Sequence, residues 1–476
     1  MASTTRPATD HAALSLALIG LMGVLYAAIS RFALDAFPYS GDEYSTWLQG
    51  VVFSHGELRA PAPAHAEWLR VDHVVIDAWV RSKYPPGTSA LLALGIRHGA
   101  GWLVTPLEAV AALLAMWWAT RRMLGPRAAL VAVLTLGLAP LFVFNAASFY
   151  AHTPTTALLA GAFACIAAWT GDRRDRWLVP TGLAIGAAFL VRPVDAVVFG
   201  VAMLALRSLR AVIIAGACAL PGIVASLAYQ AAQFGSPFTD GYRVYEPTFR
   251  ALYGAPNQSL SLGHLINPVE LWNHLDIIRA LVVDWTLPAS VVVAIVGARA
   301  ISREHPARAL RTFGVTLVAA YVALLLVTTA DPDDGARPRY LSVALIPIAF
   351  LTAAGFASAS AAIEGWLGRR ARGFAVAVVI VFALAQFGAF LQDRIPRVWK
   401  REGVFQAAEA LHAPDAVIIV RARYPSRYAR NGPYFDGVLY LSVPAETPTA
   451  QVRAAFPGRP IWEAWEGDPW RLVRVP

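Results

Sequence analysis

Charged side chains make up only 15% of the 476 residues, while 57% are hydrophobic; soluble domains run near 25% and 45–50%. So few charges cannot cover a globule of this size in water, which excludes an ordinary soluble enzyme and a disordered or collagen-like chain. Cysteine is nearly absent. Cys165 and Cys218 are the only two and both lie in apolar runs, which excludes a disulfide framework and a cysteine-ligated zinc or iron–sulfur centre. The sequence has no Walker loop, no paired histidines at helical metal spacing and no Gly-x-Ser-x-Gly elbow. It also has no internal repeat or low-complexity tract, so a solenoid or a two-repeat transporter has no direct support. Lysine is scarce too: of 40 basic residues only Lys83 and Lys400 are lysines. The net charge of +9 is carried by arginines in short loops between apolar runs, a pattern of membrane topology, and no nucleic-acid partner is expected.

What the chain does have is apolar length. A span needs roughly 17–25 residues, and runs of that kind fall near 12–33, 103–121, 127–145, 149–170, 211–229, 281–300, 311–330, 341–360 and 373–391, with a shorter pair at 177–191 and 194–206. Arginines punctuate alternate connectors: Arg121, Arg122 and Arg127; Arg173, Arg174 and Arg176; Arg207 and Arg210; Arg303, Arg308 and Arg311; Arg369, Arg370 and Arg372. The positive-inside rule makes these cytoplasmic. With Arg6 ahead of the first run, about eleven crossings place the N-terminus inside and the C-terminal segment outside. Residues 87–98 are too short to cross and are expected to be re-entrant or interfacial. Ala33-Leu34-Asp35-Ala36 loosely resembles a signal cleavage site, but the preceding run is too long for a signal core and reads as a retained helix.

Three outer segments are long: 34–86, 231–280 and 392–476. In the last, 416–420, 437–441, 460–463 and 470–475 read as strands between Pro, Gly and Asn turns, with a helix at 447–455. The chain thus divides into a transmembrane domain, 1–391, and a small soluble α/β domain, 392–476.

Costly polar groups gather on the outer side. Asp42 and Glu43, just after the first helix, suit a general base, a metal ligand or a sugar-hydroxyl acceptor, since partial desolvation raises a carboxyl pKa. They equally suit a helix N-cap ahead of 44–52. In Ser82-Lys83-Tyr84-Pro85-Pro86-Gly87 the prolines hold the backbone extended and display Lys83, either to a phosphate as a compact ammonium or to the interface as a snorkelling cation. His152, Arg192 beside Pro193, Asp195, Asp284, Arg337 and Arg339 sit at the outer ends of later runs. Arg192 needs an anionic partner, carboxylate or phosphate; Arg339 either joins the site or pairs with Asp333 or Asp334. Glu246, His264 and Asp284 are the one conceivable metal set. Tyr242, Tyr245, Phe249, Tyr253 and Trp272 suit either sugar stacking or the membrane interface.

This arrangement resembles the GT-C superfamily of membrane glycosyltransferases, which includes protein O-mannosyltransferases and lipid A aminoarabinose transferases. Asp42-Glu43 resembles the acidic motif of that superfamily's first outer loop, and Lys83-Tyr84-Pro85-Pro86 its Lys-Pro-Pro-like motif with one inserted tyrosine. Ser148 to Leu159, Arg192-Pro193, Phe234-Gly235-Ser236-Pro237 and Arg339-Tyr340 with Pro347 look like a bacterial branch, and His152 stands where many relatives have a second acidic residue. The resemblance implies an all-α polytopic membrane protein of about eleven transmembrane helices in a GT-C-like arrangement, in a bacterial cytoplasmic membrane, with the C-terminal α/β domain extracytoplasmic. It further implies an inverting transfer of a sugar, hexosyl or pentosyl, from a polyprenyl-phosphate donor to a glycan, lipid or protein acceptor. Asp42 would be the base and Glu43 would orient the substrate; Lys83, Arg192 and Arg339 would hold the donor phosphate, and Tyr44, Tyr84, His152 and Tyr242 would line the site. No cofactor is implied, a divalent metal staying open. The competing readings are a transporter or flippase for a lipid-linked sugar or anionic lipid, which needs ionisable groups along a path through several helices, and an assembly factor presenting 400–476.

Overall fold

The computed structural model describes residues 9–253, 261–302, 304–328, 337–428, 430–444, 446–467 and 469–475. The structure is a bundle of apolar helices with a small mixed sheet after it. Among the described residues each expected apolar run is largely helical, and seven helices are long and apolar enough to cross a membrane. The count becomes nine if each of two bent pairs is one span. Two of the expected runs are bent. The run at 127–145 divides into Pro126–Gly137 and Pro140–Ala147 with a 65° bend, and 281–300 divides between Pro268–Trp285 and Ser290–Ala300 with a 94° bend. Proline is the cause at both, since Pro140 starts its helix and Pro288 precedes Ala289, whose φ is +61°. The two runs that would bring the count to eleven are Leu178–Val191 and Pro193–Ala202, of 14 and 10 residues. At 1.5 Å per residue neither reaches about 30 Å on its own.

Small residues bring these helices together, as packing without a hydrophobic drive in lipid requires. A methyl on Gly182 or Gly186 would strike the carbonyls of Ala215 and Ala219 in Leu209–Phe234. The helix Pro86–Ile96, 11 residues long, packs beside Gly41–Ser54, where Ser89 Oγ donates to the Thr46 carbonyl at 2.9 Å. It turns directly into Gly101–Leu103 and Val104–Leu124.

The C-terminal strands fall where the turns placed them: Val417–Arg421, Leu439–Leu441, Ile461–Trp465 and Arg471–Arg474, with a helix at Thr449–Ala455. The sheet order is 439–441, 417–421, 461–465, 471–474, the last pair antiparallel and the others parallel. Its two faces obey the period of two. Ile418, Val420, Tyr440 and Ala464 pack on Val404 and Ala408. Val417, Ile419, Leu439, Leu441 and Ile461 instead share a core with Leu48, Val52, Trp68, Leu69 and Val80 of the first long loop. Two contacts cross the expected divisions. The expected division at 391/392 falls inside the helical run Leu345–Glu409, whose break is at Gly368 (φ 79°), and 34–86 shares its core with the terminal sheet.

Candidate active site

The site grows from the start of helix Gly41–Ser54. Ser40 caps it in a capping box: its Oγ accepts from the Glu43 N–H at 3.1 Å, and Glu43 Oε2 accepts from the Ser40 N–H at 2.9 Å. The other Glu43 oxygen accepts from the Phe149 N–H at 3.0 Å, and the residue is buried. Burial raises the Glu43 pKa against these backbone bonds. Both of its oxygens are therefore occupied by backbone, and the capping alternative describes Glu43.

Asp42, one residue earlier, points elsewhere. Its Oδ2 accepts from Arg339 Nη2 at 2.8 Å, its Oδ1 accepts from the Tyr84 hydroxyl, and His73 Nε2 lies 3.2 Å from the same oxygen. A Cβ at Gly41 would sit 2.8 Å from His73 Cδ2, so glycine there is what admits His73. The expectation of a raised carboxyl pKa is reversed. Burial pushes Asp42 up, but Arg339, His73, Lys83 and the Tyr84 hydrogen bond together hold it well below the usual carboxylate range. Burial and the neighbouring Lys83 bring His73 down to about 4, so near neutrality it meets Asp42 as a neutral donor.

Lys83 follows strand Trp79–Ser82, which Ser45 and Gln49 stitch to the same helix: Ser45 Oγ lies 2.8 Å from Ser82 Oγ, and Gln49 Oε1 accepts from the Ser82 N–H at 2.9 Å. Pro85 is extended (φ −58°, ψ 155°) and Pro86 opens the next helix, as the two prolines predict. The ammonium of Lys83 is buried in a cage of rings, 5.0 Å from Tyr242, 5.1 Å from Tyr84 and Tyr245, and 6.0 Å from Phe249. Burial lowers it to about 8, the charge of Asp42 opposing. The cage exists because Gly241, at the start of Gly241–Tyr253, lies against the Lys83 backbone; a Cβ there would come within 2.6 Å of the Lys83 Cα.

On the far side, Tyr340 joins the remaining cations. Its ring lies 5.3 Å from the Arg339 guanidinium, 5.6 Å from that of Arg192 and 5.9 Å from the His152 ring. Arg192 finds its anion in Asp195, which also accepts from the Tyr321 hydroxyl at 2.6 Å. His152 is buried between Tyr150 and Tyr340, with neither ring nitrogen hydrogen-bonded among the described residues. Asp333 and Asp334, the alternative partners of Arg339, lie outside the described residues, as does the side chain of Arg337.

Asp42, Lys83, Tyr84, Tyr242 and Arg339 thus form one constellation, with Arg192 and His152 adjoining through Tyr340. Tyr44 does not join it; its hydroxyl donates to the Asn431 carbonyl and its ring faces Arg430. The conceivable metal set also disperses: Glu246 pairs with Arg250, His264 with Glu270 and Asp284 with Arg279. His73 carries no signal in the sequence, and Tyr340 stands out there only through the Arg339-Tyr340 pair. His73 reaches Asp42 from a left-handed backbone (φ +64°) in an irregular loop, which no local pattern announces.

Residues 83–229 match the family described as dolichyl-phosphate-mannose-protein mannosyltransferase. No curated protein matches the chain. Among solved structures, it is similar to ArnT from Cupriavidus metallidurans bound to undecaprenyl phosphate, with a TM-score of 0.56 and 13% identity over 95% of this chain and 93% of that one. The apo form of the same protein matches with a TM-score of 0.52 and 14% identity over 94% and 93%. At such identity the likeness is one of fold, and the family match starts at the cage lysine itself. The expected likeness to membrane glycosyltransferases is thus met at the level of fold: this chain is a multi-pass membrane protein that shares the fold of ArnT.

Proposed function

We propose that the protein is an inverting glycosyltransferase that moves a sugar from a polyprenyl-phosphate donor to an acceptor hydroxyl at the outer face of a bacterial cytoplasmic membrane. The observation that carries this reading is the pairing of Asp42 with Arg339 beside the aromatic-caged Lys83, at 2.8 Å for the ion pair and 5.0–5.1 Å for the nearest rings. Among the described residues Lys83 has no ion-pair partner, so its ammonium is placed for an anion that arrives with the substrate. The ArnT structure that shares the fold is one bound to undecaprenyl phosphate, and we carry that ligand class to this chain.

In the resting site Asp42 is a weak base because Arg339 and Lys83 hold its proton affinity down. A donor phosphate competes for both cations and so returns basicity to Asp42. The acceptor oxygen then attacks the anomeric carbon as the bond from that carbon to the phosphate oxygen breaks, with inversion. The hydroxyl proton passes to Asp42, and polyprenyl phosphate leaves with the additional negative charge, which Lys83 and Arg339 stabilise, with Arg192 behind them. Tyr84 and Tyr242 border the phosphate and sugar, and His152 offers its ring nitrogens to sugar hydroxyls.

The test is a panel of radiolabelled polyprenyl-phosphate sugars given to purified protein with cell-envelope extract as acceptor, wild type beside Asp42→Asn. Release of polyprenyl phosphate should fall by about 10²–10⁴-fold in the variant. Equal turnover by Asp42→Asn refutes the base assignment. Movement of the intact lipid across proteoliposomes with no cleavage would instead support a transporter.

A further inference from the structure

The terminal domain meets the acidic turn through one backbone oxygen. The Tyr39 carbonyl accepts from Arg401 Nη1 at 2.7 Å and also from Arg430 Nη2. Arg401 lies at the end of the long helical run and Arg430 in the loop after Val417–Arg421, so two parts of the C-terminal region converge on the residue just before the Ser40 cap. The Arg401 guanidinium also lies 4.2 Å from the Tyr39 ring centre. That of Arg430 is buried between Phe37 and Tyr44, 4.6 Å and 5.2 Å from their ring centres. On the other side of Asp42, the Tyr44 hydroxyl donates to the Asn431 carbonyl. Asn431 is locked in turn, its amide donating to the Tyr440 carbonyl at 2.9 Å and its oxygen accepting from the Tyr440 N–H at 2.7 Å. Asp42 therefore stands on a six-residue stretch, Tyr39 to Tyr44, held at both ends by residues 401–431.

Two guanidiniums sharing one carbonyl is a costly way to join a sheet to a helix. Like charges repel, and a cation buried between rings gives up hydration; burial and Arg401 bring Arg430 down to about 10. A shared apolar core already joins the two parts through Leu48, Val52, Val417 and Ile419, so adhesion alone does not require these cations. What they add is direction: a planar guanidinium fixes the angle at which the Tyr39 carbonyl, and hence the first turn of the helix, leaves the chain.

We propose that Arg430 and Arg401 are positioning residues, clamping the Tyr39 carbonyl so that the terminal domain sets where the Asp42 carboxylate stands relative to Arg339, Tyr84 and the donor phosphate. The domain is then part of the catalytic apparatus, whatever else it recognises. This rests on the role given to Asp42 above.

The experiment uses the full-length chain with a polyprenyl-phosphate sugar that the wild type consumes, comparing Arg430→Gln, Arg401→Gln, Arg430→Lys and Tyr434→Phe with Asp42→Asn. Tyr434 is the control because its hydroxyl contacts Glu57 Oε2 at 2.9 Å, another bond between terminal domain and first loop, beyond the opposite end of the same helix. Each glutamine variant should lower kcat on the order of 10- to 100-fold with the donor KM unchanged. Arg430→Lys should fall between Arg430→Gln and wild type, because an ammonium can still sit between the rings and donate to Tyr39 but lacks the planar fork that fixes the direction of the bond. Tyr434→Phe should match wild type. Wild-type kcat in Arg430→Gln, or an equal loss in Tyr434→Phe, overturns the clamp while an inactive Asp42→Asn leaves the glycosyltransferase reading standing. A normally active Asp42→Asn overturns both. If Arg430→Gln does not fold, Arg401→Gln, whose side chain is only half-buried, carries the same comparison.

Discussion

Replacing Lys83 by Met keeps a flexible unbranched chain in the aromatic cage and removes only the charge. The cage rings stand 5.0–6.0 Å from the ammonium and can hold a thioether as well. A charge-assisted hydrogen bond to phosphate contributes about 1.5–3 kcal/mol, so the donor kcat/KM should fall by about tenfold to about 150-fold. Part of that loss belongs in kcat, because negative charge on the phosphate grows as the glycosidic bond breaks. The wild type should show the same loss on titration. Lys83 is held down to about 8, so its cation is present below that pH and disappears as pH rises through it, and kcat/KM should decline along that limb. His73, at about 4, and Tyr84, raised well above its ordinary value, do not titrate there. The assay is the initial rate of polyprenyl-phosphate release at subsaturating donor on both sides of pH 8. Lys83→Met should be slow and flat, and Lys83→Arg, whose guanidinium stays charged, should lack the alkaline limb. A wild-type profile flat through this range, or the same limb persisting in Lys83→Met, refutes the reasoning.

Three further changes separate structural from chemical roles. Glu43→Gln should lower the melting temperature, at a cost of about 1–3 kcal/mol for mismatched backbone partners, with kcat of the folded protein unchanged; a kcat loss at constant Tm would give Glu43 a chemical part. Gly241→Val should force helix Gly241–Tyr253 off the Lys83 backbone, where a Cβ already falls within 2.6 Å of the Lys83 Cα, and so weaken binding of polyprenyl phosphate itself; unchanged affinity by calorimetry counts against the cage. Asp195→Ala strips Arg192 of its carboxylate and Tyr321 of its acceptor. Removing one partner of such a buried pair costs about 3–5 kcal/mol, so an unaltered unfolding temperature would show that the pair is not structural.

Much of this architecture is legible because it follows from local rules. Apolar length marked the long spanning helices, though not the helices Gly241–Tyr253 and Pro268–Ala280 within the second outer segment, and turn residues marked the four terminal strands to within a few residues. What local rules do not carry is contact between distant segments. Arg339 is 297 residues from Asp42, and its place opposite that carboxylate depends on packing of the whole bundle. The core shared by the first loop and the terminal sheet is hidden for the same reason, since alternating apolar residues in a strand say that a face is covered but not by what.

The adjacent carboxylates show how far one motif can be resolved. On a helix consecutive side chains diverge by about 100°, since a turn takes 3.6 residues, so Asp42 and Glu43 cannot both face one substrate. A Ser-x-x-Glu pattern is a capping box, and Ser40-Gly41-Asp42-Glu43 spells it. The box assigns Glu43 to the backbone and turns Asp42 towards Tyr84 and Arg339. Nothing equally local says that Asp42 is held acidic rather than made basic. That depends on cations arriving from Lys83 and Arg339, and it makes the phosphate-bearing substrate the agent that releases the base. The same logic extends to the acceptor: a hydroxyl that enters before the donor meets a carboxylate still held by its cations. Donor binding should therefore come first, and initial-rate patterns with both substrates varied should be those of an ordered mechanism. A pattern in which acceptor binds productively to the donor-free protein would break the link between phosphate binding and Asp42 basicity.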